Sequence, residues 1–490
     1  MCTWNRLLIS VTFTTMNQAS NKMRKGTALA YGIVIMTVVA ILLTSIVSFL
    51  GQQTKLSLRV HAREQSFQIS ESGIRYYRWY LAHTIEGRTT AQIAAFWATG
   101  NPIGVTSSYE VEYVDPGGEA IGKYRLEVTA PPAGSTVIEV KATGWTYRYP
   151  DDKRIISVRF RKPAWSENAF MLNEFNRFGE GTEVFGRIHS NEGIRFDGIA
   201  HNLVTSSVAT YNDPDHSGGN EFGVHTHKTT TDPLPPAAVP ARTDVFRAGR
   251  QFPVSTVDFN GVVGDLSYMK SQAQSGTNGS RYFDNAHQGR HIILNSNGTY
   301  SIRTVKAFSS GTNEISSYQG NWSSYTIPND GVIFVENNIW VEGAVSNKRV
   351  TIAAANMTSG ALKSIYLGRD IRYTNYENCT DIVGLIAQGD VEIYKASEDD
   401  LRIDASLVAQ SGRVGRQNYQ GGTDVHKDLI TIYGAIASNQ RYGFEWADNN
   451  GNHVGGYYNR DIIYDKNILY CPPPFFPTGS QYEQDLWQEE

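Results

Sequence analysis

Two histidines one residue apart, His225 and His227, are the residues whose types and spacing best suit metal binding, and His216 lies shortly before them. A His-x-His pair on a strand places both rings on one face, and imidazole is a common zinc ligand. No HExxH motif or fixed third ligand accompanies the pair, so a solvent-exposed polar loop is the alternative. His189 lies beside Ser190, but a catalytic triad needs a nucleophile, a base and an orienting group in one geometry.

Three acid-rich segments could hold calcium, which prefers six to eight oxygen ligands. The segment at residues 448–452 lacks the terminal bidentate glutamate of an EF-hand and is most simply a turn. We expect no cofactor, although the sequence leaves calcium open alongside a metal at the histidine pair. The other two segments are Asp213 with Asp215, and Glu398 with Asp399 and Asp400.

Three further carboxylates, Asp390, Glu392 and Asp404, could line one face of a β-solenoid, where paired acids would suit carbohydrate chemistry. No spacing singles them out. The sequence also has no P-loop, no GxGxxG after a strand and no GxSxG. We therefore expect no catalytic residues and no enzymatic activity, with a β-helix carbohydrate-active enzyme as an alternative.

The three cysteines bear on the compartment of the protein. Cys2 lies near the N-terminus, whereas Cys379 and Cys471 would both be exported. Two cysteines in an oxidising space can pair, and two free buried thiols are the alternative. The absence of a CxxC motif excludes zinc ribbons and thioredoxin chemistry.

The composition is that of a globular protein. Of its 490 residues, 40% are hydrophobic and 19% are charged. Such a length suggests about two to four domains. The formal net charge is −4 and basic residues form no long block, so nucleic acid is not an expected partner.

The N-terminal region carries a membrane signal. Residues 26–54 contain no charged side chain, and the apolar heart at 28–50 exceeds the roughly 20 residues that cross a bilayer. Lys22, Arg24 and Lys25 precede the span, so the positive-inside rule predicts a cytoplasmic N-terminus and a periplasmic or extracellular body. Membrane lipid is therefore an expected partner. A cleaved secretory signal is the rival, although its apolar part is shorter, at roughly 7–15 residues.

The apolar pattern continues beyond the span in amphipathic form. Residues 52–83 lack proline and interleave apolar with polar side chains, which predicts a helix that extends the span. The two parts together would form one helix of roughly 55 residues, about 80 Å long. Such a helix is unusual for a simple anchor.

The sequence R-K-G-T-A-L-A-Y at residues 24–31, with S-F-Q-I-S-E-S-G at 66–73, resembles the N-terminus of large minor pilins of type IV pili and type II secretion systems. The resemblance covers about residues 24–81. It implies cleavage by a prepilin peptidase between Gly26 and Thr27, and helix packing with other pilin subunits. Candidate packing residues are Tyr31, Phe67 and Glu71. A generic signal anchor is the alternative.

One position departs from the pattern of major pilins. These carry a glutamate at mature position five, paired with a neighbour's N-terminal amine, and that position here is Tyr31. The large minor pilins at filament tips commonly lack this glutamate too. The resemblance therefore implies a minor subunit and not a major one.

The exported part begins with a mixed linker at residues 87–104 and four alternating runs. These predict an antiparallel sheet ending near residue 163, since D-P-G-G and P-P-A-G supply turns between them. A sheet against the end of a long helix is again the pilin plan. The runs are residues 109–114, 124–128, 137–142 and 155–160.

The sequence pattern changes after residue 164. Short apolar strands separated by Gly, Asn and small residues recur at 186–196, 384–393, 406–414 and 434–440, with a looser copy at 333–343. Steps of this size predict stacked coils of a β-solenoid over about residues 331–440, with a β-sandwich as the alternative.

Three further segments complete the body. Residues 202–325 are interpreted as a long excursion from the solenoid, suited to a binding surface. Within it, residues 257–274 predict a helix that Asp258 would cap. The proline-rich stretch at 469–479 predicts an extended surface strap.

The expected fold class is α+β to mainly β, and we expect five regions. They are a basic leader at 1–26, a pilin-like helix at 27–86, a small β domain at 87–163, a β-rich region with a long loop at 164–330, and a solenoid-like domain with its strap at 331–490. The expected function is that of a minor pilin-like subunit, with a membrane-anchored adhesin as the first alternative. The ligand of its surface is not identified by the sequence.

Overall fold

The computed structural model describes residues 25–132, 134–448, 452–479 and 481–490. Residues 1–24, including Cys2 and most of the basic leader, lie outside the described residues. The first element is the helix α1, Lys25–Ile85, which is 61 residues long and confirms the predicted long N-terminal helix. It is the one helix within the described ranges that is long and apolar enough to span a membrane.

The second half of α1 packs against an antiparallel sheet. The buried residues Ile69, Tyr77 and Leu81 recur at helical spacing and face the sheet. Four consecutive strands of this sheet each overlap a predicted run. They are β1 (Tyr109–Val114), β2 (Ala120–Thr129), β3 (Ile138–Thr146) and β4 (Arg154–Arg161). They pair in sequence order, as a meander does.

Two elements of this unit were not predicted. The linker at 87–104 contains the helix α2, Thr90–Thr99, which starts with a capping box between Thr89 and Gln92. The C-terminal strand, Glu483–Glu489, pairs antiparallel with β4 and completes a five-stranded sheet. The end of the chain therefore belongs to the small sheet. The prediction that residues 331–490 form one solenoid-like domain is wrong for this strand.

The rest of the chain forms a mainly β body built on a ten-stranded sheet in which every pair of neighbours is parallel. Its strands, in spatial order, are Arg250–Gln251, Val204–Ser206, Arg187–Ser190, Asn168–Leu172, Ile436–Ser438, Ser406–Ala409, Ile382–Ala387, Arg349–Ala354, Gly331–Val335 and Arg281–Phe283.

The sequence repeats account for the register of this sheet. Gly384 pairs with Ser406, which is the offset between the two repeat copies, and the next copy follows one residue out of step, with Leu407 opposite Ile436. One column of buried apolar side chains therefore crosses the sheet through Leu385, Leu407 and Ile436. A regular solenoid is a stricter claim than parallel stacking, and it stays a prediction.

The body contains a second large sheet of twelve strands. It is mostly parallel, with antiparallel hairpins at its two edges. Its strands are Gly289–Asn295, Thr299–Ser309, Glu314–Thr326, Asn338–Val345, Ile365–Leu367, Ile371–Tyr373, Val391–Ile393, Asp400–Asp404, Val414–Arg416, His426–Gly434, Glu445–Ala447 and His453–Tyr464.

The remaining elements are short. Strands Asn176–Phe178, Ile194–Phe196 and Val224–His225 form a three-stranded parallel sheet. Two pairs stand alone, and three 3-10 turns connect other elements. These are Glu183–Val184 with Ile199–Ala200, Thr210–Tyr211 with Glu221–Phe222, and the turns Trp165–Glu167, Thr277–Gly279 and Lys466–Leu469.

Two sequence interpretations of the body need correction. Residue 330 is not a domain boundary. Strand Asn168–Leu172, which precedes it, pairs directly with strand Ile436–Ser438, which follows it, so both belong to one sheet. The segment 202–325 is not wholly an excursion, since it supplies three strands to that sheet. Sequence periodicity detects the repeat, but it does not reveal which distant strands pair with one another.

The predicted helix in this segment starts later than expected. The helix α3 is Val262–Ser275, and Gly261 at its N-cap position offers no side-chain cap. Asp258 instead accepts a hydrogen bond from the backbone N–H of Asn260, a local turn that competes with capping.

Candidate functional site

The apolar half of α1 has no partner within the described chain. Leu29, Ile33 and their neighbours up to Leu50 are exposed, and Tyr31 is 69% exposed. Such a surface requires lipid or other apolar helices around it. The junction between Gly26 and Thr27 lies in the first turn of this helix.

The other two residues predicted to pack between helices have partners in their own chain. The Phe67 ring meets the Trp487 ring edge-on, with 6.1 Å between centroids. Glu71 forms an ion pair with Arg75 at 2.8 Å, one turn along α1. Of the three candidates, Tyr31 is therefore the one whose side chain is left for a neighbouring helix.

An apolar cleft of about 670 Å³ is lined by α2, α3 and the C-terminal strap. No sequence pattern predicts it, because its walls come from distant parts of the chain. Asp265 of α3 lies beside it and accepts a hydrogen bond from the Thr90 hydroxyl at the start of α2. Burial raises the pKa of Asp265 to about 6, although Thr90 and Lys162 act in the opposite direction. The small sheet unit and the body thus meet through a polar contact within an apolar surface.

The carboxylates considered for carbohydrate chemistry each have structural partners. Asp390 accepts a hydrogen bond from the backbone N–H of Arg413 at 2.9 Å. Asp404 is fully buried and accepts hydrogen bonds from the N–H of Tyr373 and the hydroxyl of Tyr376. These contacts fix turns and strands, and they do not present the two acids to a common substrate.

Glu392 is the one member of that set with an unusual environment. It is 3% exposed and accepts hydrogen bonds from Asn313 and Gln417. Burial, with the nearby charge of Asp390, raises the pKa of Glu392 to about 7 despite Arg413. The folded protein therefore holds a proton on Glu392 that the unfolded chain releases at lower pH.

This difference predicts a pH-dependent stability. Between pH 4.5, the ordinary pKa of a glutamate, and about 7, the unfolded state releases the proton that the folded state keeps, so stability falls as pH rises. We expect Glu392→Gln to become more stable relative to wild type by about 2–3 kcal/mol between pH 4.5 and 8. Denaturant unfolding at the two pH values measures this.

The matched control is Glu398→Gln. Glu398 is a partly exposed carboxylate paired with Arg369 at 3.1 Å, so this variant removes a glutamate without removing a buried one. Equal pH responses of the two variants would contradict the assignment of the shift to Glu392.

The acidic segments considered for calcium are largely paired with basic side chains. Asp399 lies 3.0 Å from the Lys427 ammonium, and Asp215 binds the Arg441 guanidinium with both carboxylate oxygens. In the third segment, Asp448 accepts a hydrogen bond from the N–H of Asn452, while residues 449–451 lie outside the described residues. These pairings occupy oxygens that calcium would need.

The histidine pair lies in a short hairpin that also brings in two acids. Strand Thr210–Tyr211 pairs antiparallel with Glu221–Phe222, and Val224–His225 follows directly. Asp213 comes from the loop between the paired strands, and His227 follows two residues after the last one. The hairpin therefore gathers two carboxylates and two imidazoles from a stretch of 15 residues.

The four ligand atoms of this cluster all lie within 4.8 Å of one another. Glu221 is central: its Oε1 is 2.6 Å from His227 Nε2, and its Oε2 is 2.7 Å from His225 Nε2. Asp213 Oδ2 is 3.7 Å from His225 Nε2. His216 Nδ1, on the more exposed rim, is 3.3 Å from Glu221 Oε1.

Asp213 is held in its ionised form. Burial opposes its ionisation, but His225, the backbone N–H of Asp215 and Arg195 together lower the pKa of Asp213 to about 2. The neighbouring Asp215 points away to Arg441, so the two acids that the sequence paired as a calcium site have different partners. Sequence reasoning identified His225 and His227 but missed Glu221, whose only signal was its place opposite Tyr211 across a turn.

The two cysteines of the body are joined. A disulfide links Cys379 to Cys471 with a Cα–Cα distance of 6.0 Å. It ties the loop after strand Ile371–Tyr373 to the start of the C-terminal strap. A disulfide is typical of proteins that fold in an oxidising compartment.

No protein-family model and no curated protein matches the sequence. Among solved structures, the chain is similar to the competence-associated pilin ComZ from Thermus thermophilus at 12% identity, over 88% of this chain and 97% of that one, with a TM-score of 0.31. A likeness this weak does not define the fold, so the interpretation below depends on the residues of this chain.

Proposed function

We propose that this protein is a non-enzymatic, minor pilin-like subunit of a type IV pilus or a related filament or secretion system. The observation that carries the proposal is the division of α1 into two halves. Its first half is apolar, exposed and without a partner, whereas its second half is buried on an antiparallel sheet. That arrangement suits a helix which must carry a folded domain and also exchange lipid for other helices.

The two halves suggest a sequence of states. Before assembly, α1 spans the cytoplasmic membrane with its N-terminus inside, and the body lies in the periplasm or outside the cell. After cleavage by a prepilin peptidase, the exposed half packs among the helices of other pilin subunits. A body of several hundred residues would crowd a regular shaft, which favours a position at the filament tip, where it can serve assembly or adhesion.

Leader processing provides the test. We expect the N-terminal peptide from native membranes to begin at Thr27, because the peptidase cuts after Gly26, and we expect Gly26→Leu to leave nearly all of the chain unprocessed. Peptide mass spectrometry measures both. The control is Gly51→Leu, since a side chain at Gly51 meets no atom within 4 Å in the chain. An intact leader on the native protein would contradict the filament role.

A membrane-anchored adhesin without a filament role is the second candidate. It is favoured by the exposed apolar half of α1, which a lipid bilayer can cover without any neighbouring helix. In that case α1 remains in the bilayer permanently and the β body alone carries the function. The same mass measurement separates the two candidates, because an anchor keeps its leader.

A further inference from the structure

We propose that Asp213, Glu221, His225 and His227 form a structural binding site for a divalent transition metal ion, with zinc the best match. Tetrahedral zinc with bonds of about 2.0–2.2 Å places its ligand atoms roughly 3.4 Å apart. The four ligand atoms of the cluster, all within 4.8 Å of one another, are close to that spacing. The side chains need only small adjustments to surround one ion.

The hydrogen bonds around His225 leave its second nitrogen aimed into the cluster. Its Nδ1 lies 3.3 Å from the carbonyl oxygen of Phe222, and an N–H there donates to that oxygen. Nε2, on the other side of the ring, faces Glu221 Oε2 and Asp213 Oδ2. Metal-bound histidines are typically oriented in this way, through an N–H bonded to a carbonyl on the far side of the ring.

Three buried polar atoms therefore converge at one place. Within the described chain, His225 Nε2, Glu221 Oε2 and Asp213 Oδ2 face one another, and none of them has a hydrogen-bond partner outside the cluster. The three residues are between 1% and 4% exposed, so water cannot freely replace the missing partners. Unpaired buried polar atoms are costly, and a cation at their centre would satisfy all three at once.

The fourth ligand is held from outside the cluster. The backbone N–H of His227 donates to Asp197 Oδ1 at 2.7 Å, which fixes the chain just after the strand. The nearest basic side chain, Arg195, lies 3.7 Å from Asp213 but only 2.8 Å from Asp197, so it mainly neutralises Asp197. A divalent cation would balance the charge of the two carboxylates, and the imidazoles would complete its ligand set.

The types and number of the ligands indicate which metal would bind and whether it would be structural or catalytic. Imidazole suits zinc and other late first-row metals, whereas calcium and magnesium prefer oxygen ligands throughout. Four protein ligands in a buried site leave no open position for water or substrate, which is typical of a structural ion. The ion would tie the 211–227 hairpin to the three-stranded parallel sheet through strand Val224–His225.

The test uses the full-length protein in detergent after the metal is removed with a chelator. We expect one zinc per chain by elemental mass spectrometry after reconstitution, and an intense tetrahedral cobalt(II) absorption band. His225→Gln should weaken zinc binding at least about 100-fold, because even outer-shell partners contribute roughly 10–100-fold. Competition with a chromogenic chelator measures the affinity.

The matched control is His291→Gln. His291 Nε2 also lies near a carboxylate, 3.0 Å from Glu342 Oε1, but its Nδ1 contacts the Tyr318 hydroxyl and no second acid joins it. This variant should keep wild-type zinc affinity. His227→Gln provides a second ligand variant in case His225→Gln does not fold.

Two results would overturn the proposal. One is wild-type protein that binds no more zinc than the ligand variants. The other is a weak, octahedral cobalt(II) spectrum. The first would mean that a hydrogen bond between His225 and Glu221 holds the cluster together without an ion, and the second that the ion does not occupy a four-ligand tetrahedral site. Neither result depends on leader processing, so the pilin-like role is tested separately.

Discussion

Gly144→Leu is expected to push α1 off the small sheet and to lower the free energy of unfolding of this unit by about 3 kcal/mol or more. A Cβ atom at Gly144 would lie 2.3 Å from the carbonyl oxygen of Ser66 and 2.5 Å from the backbone nitrogen of Ser70. Both obstacles are backbone atoms of α1, so no side-chain rotation relieves the clash. Separation would expose Tyr77 and Leu81, each worth about 1.5–3 kcal/mol when buried.

Denaturant unfolding of the full-length protein and hydrogen exchange of the second half of α1 measure this effect. Gly179→Leu is the matched control, because a side chain at Gly179 meets no atom within 4 Å. Equal stabilities of the two variants would mean that α1 does not depend on its close approach to β3. If the pilin-like role is correct, Gly144→Leu should still be cleaved after Gly26, since the junction lies many turns away along α1.

The parts of this fold that the sequence predicts are those with local causes. The uncharged run at 26–54 and the helical spacing of Ile69, Tyr77 and Leu81 are enough to define α1. Alternation and turn residues are enough for β1 to β4. The parallel repeat can be detected in the sequence because each strand must present the same apolar positions to its neighbours, as Leu385 and Leu407 do.

The parts that could not be predicted depend on contacts between distant residues. The C-terminal strand Glu483–Glu489 is exposed throughout and has no apolar alternation. It joins the sheet by backbone pairing with β4 and through Asp485, which binds Arg159 and Arg161. Helix α2 is short and lies in a segment that begins and ends with glycine, so its local signals were limited to the capping box and the spacing of Ile93, Phe96 and Trp97.

The candidate metal site falls between these two cases. His225 and His227 are visible as a pair, because alternate residues on a strand share a face. Asp213 and Glu221 join them only because the hairpin places Tyr211 opposite Glu221, which is a matter of register and not of composition. The two histidines could therefore be identified from the sequence, whereas the complete set of four ligands required the fold.

Replacing both Cys379 and Cys471 with serine is expected to destabilise the protein by about 4 kcal/mol. The disulfide closes a loop with a sequence separation of 92, and a cross-link over so long a loop removes much of the freedom of the unfolded chain. It also holds the start of the strap, whose Phe475 and Phe476 are buried against the body near α3. Thermal and denaturant unfolding of the full-length protein measure the loss.

Two comparisons isolate the disulfide from the mutations. Wild-type protein treated with a reductant should lose the same stability as the double variant, because both remove the same cross-link. Cys2→Ser should change nothing, since Cys2 precedes the expected cleavage site at Gly26. If the double variant and the oxidised wild type were equally stable, the strap would be held by the packing of Phe475 and Phe476 alone, and the long loop would already be ordered by the parallel sheets that it spans.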